Sequence, residues 1–155
     1  MKKLFLSVLF LAPSFLVKAQ VPVVKWDALN ILINQKHGPV QVINFWATWC
    51  GPCIKELPQF EAVHLNDNAV KVTLVSLDYA DKVDKVESFL SRKNMKSSVI
   101  LLDEIDYNSW IDKVDSSWEG AIPATLVYNP QTGKRIFVQH ELKEGELEKL
   151  IATVK

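Results

Sequence analysis

The sequence predicts an α/β fold in which a mixed β-sheet lies between two layers of helices. Apolar runs typical of strands alternate with apolar residues at helical spacing through most of the chain. Near the end of the chain, a predicted strand is followed by a turn, by another strand that can pair back with it, and by a final helix. Alternating strands and helices favour parallel pairing, and the terminal hairpin adds antiparallel pairing. The length of 155 residues fits one domain, or one domain with an appendage.

The first half of the domain is predicted to contain three helices and two strands. Residues 40–46 are apolar apart from Gln41 and Asn44, which is typical of a strand buried on both faces. The helices are recognised by apolar residues three or four positions apart. In order, the predicted elements are a helix over 26–35, a strand over 40–46, a helix from the two cysteines to about residue 65, a strand over 70–77 and a helix over 83–90.

The second half contains shorter elements. A turn is predicted at 129–133, where Asn, Pro and Gly residues cluster between two apolar runs. The other predicted elements are a buried strand over 99–102, a weak helix over 107–114, strands over 124–128 and 135–139, and an amphipathic helix over 142–154.

The N-terminus has the composition of a secretory signal peptide. Met1-Lys2-Lys3 is followed by an apolar run over 4–17, and Val17-Lys18-Ala19 supplies a cleavage-like site. We expect cleavage after Ala19, which leaves a domain over 20–155 that is periplasmic or otherwise exported. A retained membrane anchor is the alternative, although the run is short for a full span. No cysteine for lipid attachment stands at the boundary.

Charge gives no support for nucleic-acid binding. The full sequence carries 18 basic and 18 acidic side chains, and loss of Lys2, Lys3 and Lys18 would leave an excess of three acidic groups. A mildly acidic chain does not attract a polyanion.

Cys50 and Cys53 are the only cysteines, and they stand where a predicted strand gives way to a predicted helix. A sulfur at a helix start faces unpaired backbone N–H groups and the positive end of the helix dipole, which favour thiolate, the nucleophilic form. A bridge between them would close a very small ring and add little stability, so we interpret the pair as reactive. A zinc site needs about four ligands, and none of the histidines has ligand-like spacing to the cysteines. We therefore expect no metal and no cofactor.

The sequence around the cysteines resembles the thioredoxin-like superfamily. The stretch 44–53, NFWATWCGPC, resembles the thioredoxin active-site segment, and Pro58 matches the proline that kinks the helix after it. Ile122-Pro123, about 70 residues after Cys53, matches the cis-proline loop. The signal peptide, the run 53–58 and an extra segment over 83–118 are more similar to the exported TlpA/ResA branch. The resemblance implies a thioredoxin fold with an inserted β/α segment.

The resemblance implies roles for the cysteines and the residues between them. Cys50 would be the nucleophile, with an exposed sulfur, and Cys53 would lie deeper and resolve the mixed disulfide. Gly51 and Pro52 would tune the pair toward electron donation, because strong oxidants of the family often carry a thiolate-stabilising His there.

Three further residues are implied to contact the client protein. Pro123 would follow a cis peptide bond, with an ordinary trans proline as the alternative. Ile122 would pair its backbone with an extended client segment. Trp49 would form part of the docking surface, whereas Trp46, Trp110 and Trp118 are expected to pack in the interior.

Asn44 departs from the thioredoxin pattern, which has a proton-relaying Asp at this position. Glu56, three residues after Cys53 and so on the same side of the helix, is the candidate replacement. A carboxyl drawn out of water has a raised pKa and can hold a proton near neutrality. The alternative is a solvated Glu56 that pairs with Lys55.

These residues predict an exported protein thiol–disulfide oxidoreductase that mainly reduces disulfides of exported proteins. The resemblance adds a membrane electron donor as partner and apocytochrome c as a candidate client. A periplasmic disulfide oxidase, a copper-binding module and a non-enzymatic interaction module remain alternatives. A peroxidase is disfavoured because Ala47 stands where that chemistry needs Thr or Ser.

Overall fold

One six-stranded sheet forms the centre of the protein in a computed structural model, which describes residues 20–155. The predicted signal peptide lies outside the described residues. The strands are β1 (Val23–Val24), β2 (Val40–Trp46), β3 (Val70–Ser76), β4 (Ser98–Leu102), β5 (Ala124–Tyr128) and β6 (Arg135–Val138). Their order across the sheet is β1-β4-β3-β2-β5-β6.

The pairing is mixed, as predicted. β1, β4, β3 and β2 run parallel, whereas β5 pairs antiparallel to β2 and β6 antiparallel to β5. Trp46 at the end of β2 lies opposite Ser76 at the end of β3, and Phe45 lies opposite Ala124 at the start of β5. The ends of β2 and β3 and the beginning of β5 therefore meet at one edge of the sheet, which we call the carboxyl edge.

Helices cover both faces and make the three layers. They are α1 (Trp26–Ile33), α2 (Gly51–Asn66), α3 (Val83–Lys93), α4 (Ile111–Val114) and α5 (Glu146–Val154). Side chains of a strand alternate between faces. In β2, Val42 and Trp46 join the cluster formed with α2, α3 and α5, while Ile43 and Phe45 join the cluster formed with α1 and α4.

The inserted segment packs as predicted through its tryptophans. Trp110 and Trp118 are 1% and 3% exposed, and their rings lie 6.2 Å and 4.6 Å from the ring of Phe45. Trp46 is fully buried against Phe89 on the opposite face. Aromatic contacts of this kind add to the area that each ring buries.

Several predicted boundaries were wrong. The two-residue strand β1 was missed because it is too short to show a period. The first helix ends at Ile33, and residues 107–114 form a 3₁₀ turn (Tyr107–Ser109) followed by the short helix α4. The last helix begins at Glu146, because its N-cap residue Gly145 has a φ of 77°, outside the helical region. Leu142 is 2% exposed but precedes that helix.

Over residues 20–155, every helix is too short or too polar to cross a bilayer.

Candidate active site

Cys50 and Cys53 form a disulfide at the start of α2, on the carboxyl edge. Cys50 is the N-cap residue, and its Sγ accepts a hydrogen bond from the backbone N–H of Cys53 at 3.3 Å. The N–H of Cys50 donates to the carbonyl of Ala47 at 3.1 Å, which closes a turn over 47–50. The sulfur thus lies at the positive end of a 16-residue helix, where a thiolate is stabilised.

The prediction of an exposed Cys50 sulfur was wrong. Cys50 is 6% exposed and Cys53 is fully buried, so Cys50 remains the more accessible of the two. The loop before β5 lies over the nucleophile's position, with the carbonyl oxygen of Ile122 at 3.8 Å from Cys50 Sγ. Sequence spacing cannot reveal this cover, because the loop is 72 residues away along the chain.

The Ile122–Pro123 peptide bond is cis, as predicted. Pro123 is buried and Ile122 is half-buried beside the disulfide. The backbone of Ile122 therefore borders the reactive sulfur.

The residues that flank Cys50 in sequence are open to solvent. Trp49 is 66% exposed, and Gly51 and Pro52 are exposed in the first turn of α2. A Cβ at Gly51 would meet no atom within 4 Å. The segment before and after Cys50 thus presents an exposed indole and an uncrowded helix start.

Glu56 lies on the buried side of α2 and is 1% exposed. Its Oε1 accepts from Asn44 Nδ2 at 2.8 Å, and its Oε2 accepts from the backbone N–H of Leu142 at 2.7 Å. Burial raises the pKa of Glu56 to about 7, and the bonds from Leu142 and Asn44 only partly oppose the rise. The alternative of a solvated Glu56 paired with Lys55 was wrong: Lys55 pairs with Glu141 at 3.1 Å.

Asn44 fills the position where thioredoxins carry Asp. It is fully buried in β2, and its Nδ2 also donates to Thr125 Oγ1 at 3.1 Å. Its Oδ1 accepts no hydrogen bond from any described residue. Asn44 and Glu56 therefore bring an amide and a titratable carboxyl together in the interior, with Glu56 one helical turn after Cys53.

No role was predicted for Thr48 or Asp78, which the structure brings together at the site. Asp78, just after β3, is 5% exposed and binds both the N–H and the hydroxyl of Thr48, in the turn before Cys50. The available signal was an acidic residue, Asp78, just beyond a buried strand, together with a hydroxyl residue, Thr48, just before the cysteines.

Residues 20–155 contain no group of three or more His, Cys, Asp or Glu side chains that could hold a metal ion. His140 pairs with Glu146 at 2.9 Å on the surface.

A mixed sheet with a Cys-X-X-Cys pair at a helix start and a cis-proline loop against it defines a protein of the thioredoxin fold. The chain belongs to the AhpC/TSA family, whose sequence model matches residues 11–134. The thioredoxin-related protein of Neisseria meningitidis serogroup B has a similar structure, with a TM-score of 0.65 and 26% identity over 76% of this chain and 86% of that one.

Two thiol-disulfide oxidoreductases are similar in sequence to part of this chain. The sporulation thiol-disulfide oxidoreductase A of Bacillus subtilis is 31% identical over 67 residues, which are 41% of this chain and 41% of that protein. The thiol-disulfide oxidoreductase ResA of Bacillus thuringiensis is 30% identical over 91 residues, which are 58% of this chain and 49% of that protein. The match spans less than half the length of either relative.

Proposed function

We propose that this protein is a thiol–disulfide oxidoreductase that reduces disulfides of exported proteins. One observation carries the proposal: the Cys50–Cys53 disulfide caps α2 with Cys50 Sγ 3.8 Å from the Ile122 carbonyl oxygen. This arrangement joins a reversible two-electron centre to a backbone edge that can hold a client. The names of the two Bacillus relatives support the same activity.

The reaction is a two-step exchange. In the reduced protein, the Cys50 thiolate attacks one sulfur of a client disulfide, forms a mixed disulfide and releases the client's other sulfur as a thiolate. Cys53 then loses its proton and attacks Cys50 Sγ, which releases the second client sulfur. Two electrons pass to the client, and the Cys50–Cys53 bond forms.

Client binding is assigned to Trp49, Ile122 and Pro123. Trp49 offers an exposed ring before the nucleophile, and the cis peptide at Pro123 presents the backbone of Ile122 beside it. Because Cys50 itself is only 6% exposed, a client must approach along this loop with its disulfide in an extended, accessible segment.

Glu56 is assigned to proton transfer at the buried sulfur. It follows Cys53 by one helical turn, and a carboxyl with a pKa of about 7 can accept the proton that Cys53 loses. Asn44 and the Leu142 N–H hold it in place.

The direction of electron flow is assigned from Gly51 and Pro52. Neither can carry a positive charge, so the thiolate lacks the extra stabilisation that favours the reduced form in strong oxidants. Export to an oxidising compartment then requires a reductant to regenerate the dithiol. We assign that role to a membrane electron donor, and apocytochrome c is a candidate client.

Trapping the covalent intermediate tests the activity. Cys53→Ser should accumulate a mixed disulfide between Cys50 and a client, seen as a mass adduct that dithiothreitol removes. Cys50→Ser is the matched control and should form none. An unmodified Cys53→Ser protein, with Cys50 shown to be free and alkylatable, would refute the proposal.

Equilibration of the pair with glutathione tests the direction. A potential near that of thioredoxin, about −270 mV, is expected for a reductant, whereas a value near −120 mV would indicate an oxidase. Tight Cu(I) binding by the reduced pair, or rapid consumption of hydroperoxide, would instead favour a copper module or a peroxidase. The absence of a hydroxyl at Ala47 argues against the peroxidase.

A further inference from the structure

Asp78 is a buried carboxylate that the proposed reaction does not use. It is 5% exposed and lies two residues beyond β3. Its Oδ2 accepts from the N–H of Thr48 at 2.9 Å and from Ser76 Oγ at 2.8 Å, and its Oδ1 accepts from Thr48 Oγ1 at 2.5 Å. A buried carboxylate with every oxygen bonded is held in one orientation, and its bonds are stronger than those between neutral groups.

The turn over 47–50 needs support from outside the sheet. The β2–β3 ladder ends at Trp46 and Ser76, and one further bond follows, from the N–H of Leu77 to the carbonyl of Trp46 at 2.8 Å. Beyond that point, the segments that follow β2 and β3 are joined through Thr48 and Asp78. The turn that carries Cys50 is therefore fixed to the end of β3 by this side chain.

The orientation of the turn decides how well Cys50 Sγ meets the helix start. Sγ lies 3.3 Å from the Cys53 N–H, and the thiolate gains from that bond and from the helix dipole only when it is aligned with them. We propose that Asp78 is a positioning residue that, through Thr48, holds the Cys50 sulfur against the N-terminus of α2 and thereby sets its reactivity. The proposal rests on the proposed function only in taking Cys50 as the attacking sulfur.

Replacement of Thr48 tests the proposal without a change of charge. Thr48→Val removes the hydroxyl that binds Asp78 Oδ1, and Thr48→Ser retains it. In the reduced protein, Thr48→Val should raise the pKa of the Cys50 thiol and slow its alkylation near neutral pH by about 3- to 10-fold, since about one pKa unit changes the thiolate fraction tenfold. The equilibrium with glutathione should shift toward the disulfide by a similar factor. Thr48→Ser should restore both values.

A similar clamp elsewhere in the protein provides the control. Glu61 on α2 accepts from Ser97 Oγ at 2.6 Å and from the N–H groups of Ser97 and Lys96, which ties a loop to α2 away from the cysteines. Ser97→Ala should lower the melting temperature, as Thr48→Val does, and leave the alkylation profile unchanged. An unchanged profile in Thr48→Val would show that Asp78 is merely structural.

Asp78→Asn supplies an independent measurement if Thr48→Val does not fold. It keeps the side-chain shape and removes a negative charge, which by itself would lower the pKa of a nearby thiol. A raised pKa therefore reports a loosened turn, and a lowered or equal pKa would overturn the proposal. Client trapping by Cys53→Ser is independent of these results, so failure of the anchor and failure of the proposed function are distinguishable.

Discussion

Asn44 Nδ2 donates a 2.8 Å hydrogen bond to Glu56 Oε1 in the interior, where the two residues are 0% and 1% exposed. Asn44 on β2 stands where thioredoxins carry a buried Asp, and Glu56 on α2 brings a carboxyl to its side chain. The carboxyl can still exchange a proton, because its pKa is raised to about 7. In this chain the buried titratable group lies on the helix that carries the cysteines, and the strand position holds an amide.

Glu56→Gln should alter the pH dependence of Cys50 alkylation in the reduced protein. Wild type should show a second inflection near the pKa of Glu56, about 7, because the charge of Glu56 forms behind the cysteines. The variant should lose it. Lys55→Gln is the control, since Lys55 is exposed and pairs with Glu141. Superimposable curves for wild type and Glu56→Gln would remove Glu56 from the mechanism.

Glu56 should also make stability depend on pH. Its folded pKa of about 7 exceeds the ordinary 4.5, so the folded state binds its proton more tightly and stability falls as pH rises between these values. Relative to wild type, the free energy of unfolding of Glu56→Gln should increase by about 3 kcal/mol as the pH rises across that window, at about 1.4 kcal/mol per pKa unit.

Urea unfolding of both oxidised proteins at several pH values measures this gain. Carboxyls with lowered pKa values, such as Glu61 and Glu146, are present in both proteins. Their contributions therefore cancel in the difference between the two free energies of unfolding. A difference in free energy of unfolding that does not change with pH would contradict the prediction.

Trp49→Ala should weaken client binding and leave the sulfur chemistry unchanged. The ring is 66% exposed beside Cys50, so its loss should raise KM for a protein disulfide several-fold, by about 1 kcal/mol or more of binding energy. Alkylation of Cys50 by a small reagent should match wild type. Leu65→Ala, which removes a 60% exposed side chain at the far end of α2, should change neither value.

Pro52→His should make the protein a weaker reductant. Pro52 is exposed in the first turn of α2, so an imidazole there can lie beside the Cys50 thiolate without displacing core atoms. A thiolate stabilised by a partial positive charge favours the dithiol, and the reduction potential should rise by about 30 mV or more, which is tenfold in the equilibrium constant. Equilibration with glutathione measures it, with Pro52→Ala as the control for loss of the ring.

Trp110→Ala should destabilise the protein without changing its chemistry. Trp110 is 1% exposed and contacts Phe45, Trp118 and Trp26. Its removal leaves a large cavity, and a loss of about 3 to 5 kcal/mol is expected in urea unfolding. The alkylation profile of Cys50 should be unaltered. A changed profile would mean that the inserted segment shapes the site and does more than fill the core.

Periodicity identified most of the fold because the long strands and helices each bury a face. The predicted bounds of β2 and β5 match the structure, and the ends of α1 and α5 do not. Leu142 continues the apolar spacing of α5, but it lies before Gly145, whose φ of 77° is outside the helical region, so the helix begins later. An apolar period cannot distinguish a buried residue inside a helix from one in the loop before it.

The two sulfurs and their placement at a helix start follow from local sequence, since capping and short spacing act within one turn of chain. The cis proline at position 123 was expected only from the resemblance to thioredoxins, because it lies far from the cysteines along the chain. Their surroundings depend on contacts between distant segments. Leu142 reaches Glu56 across 86 positions, Ile122 covers Cys50 across 72, and Asp78 holds Thr48 across 30. Folding alone decides those approaches, because burial and hydrogen bonding depend on which strands and loops meet at the edge of the sheet.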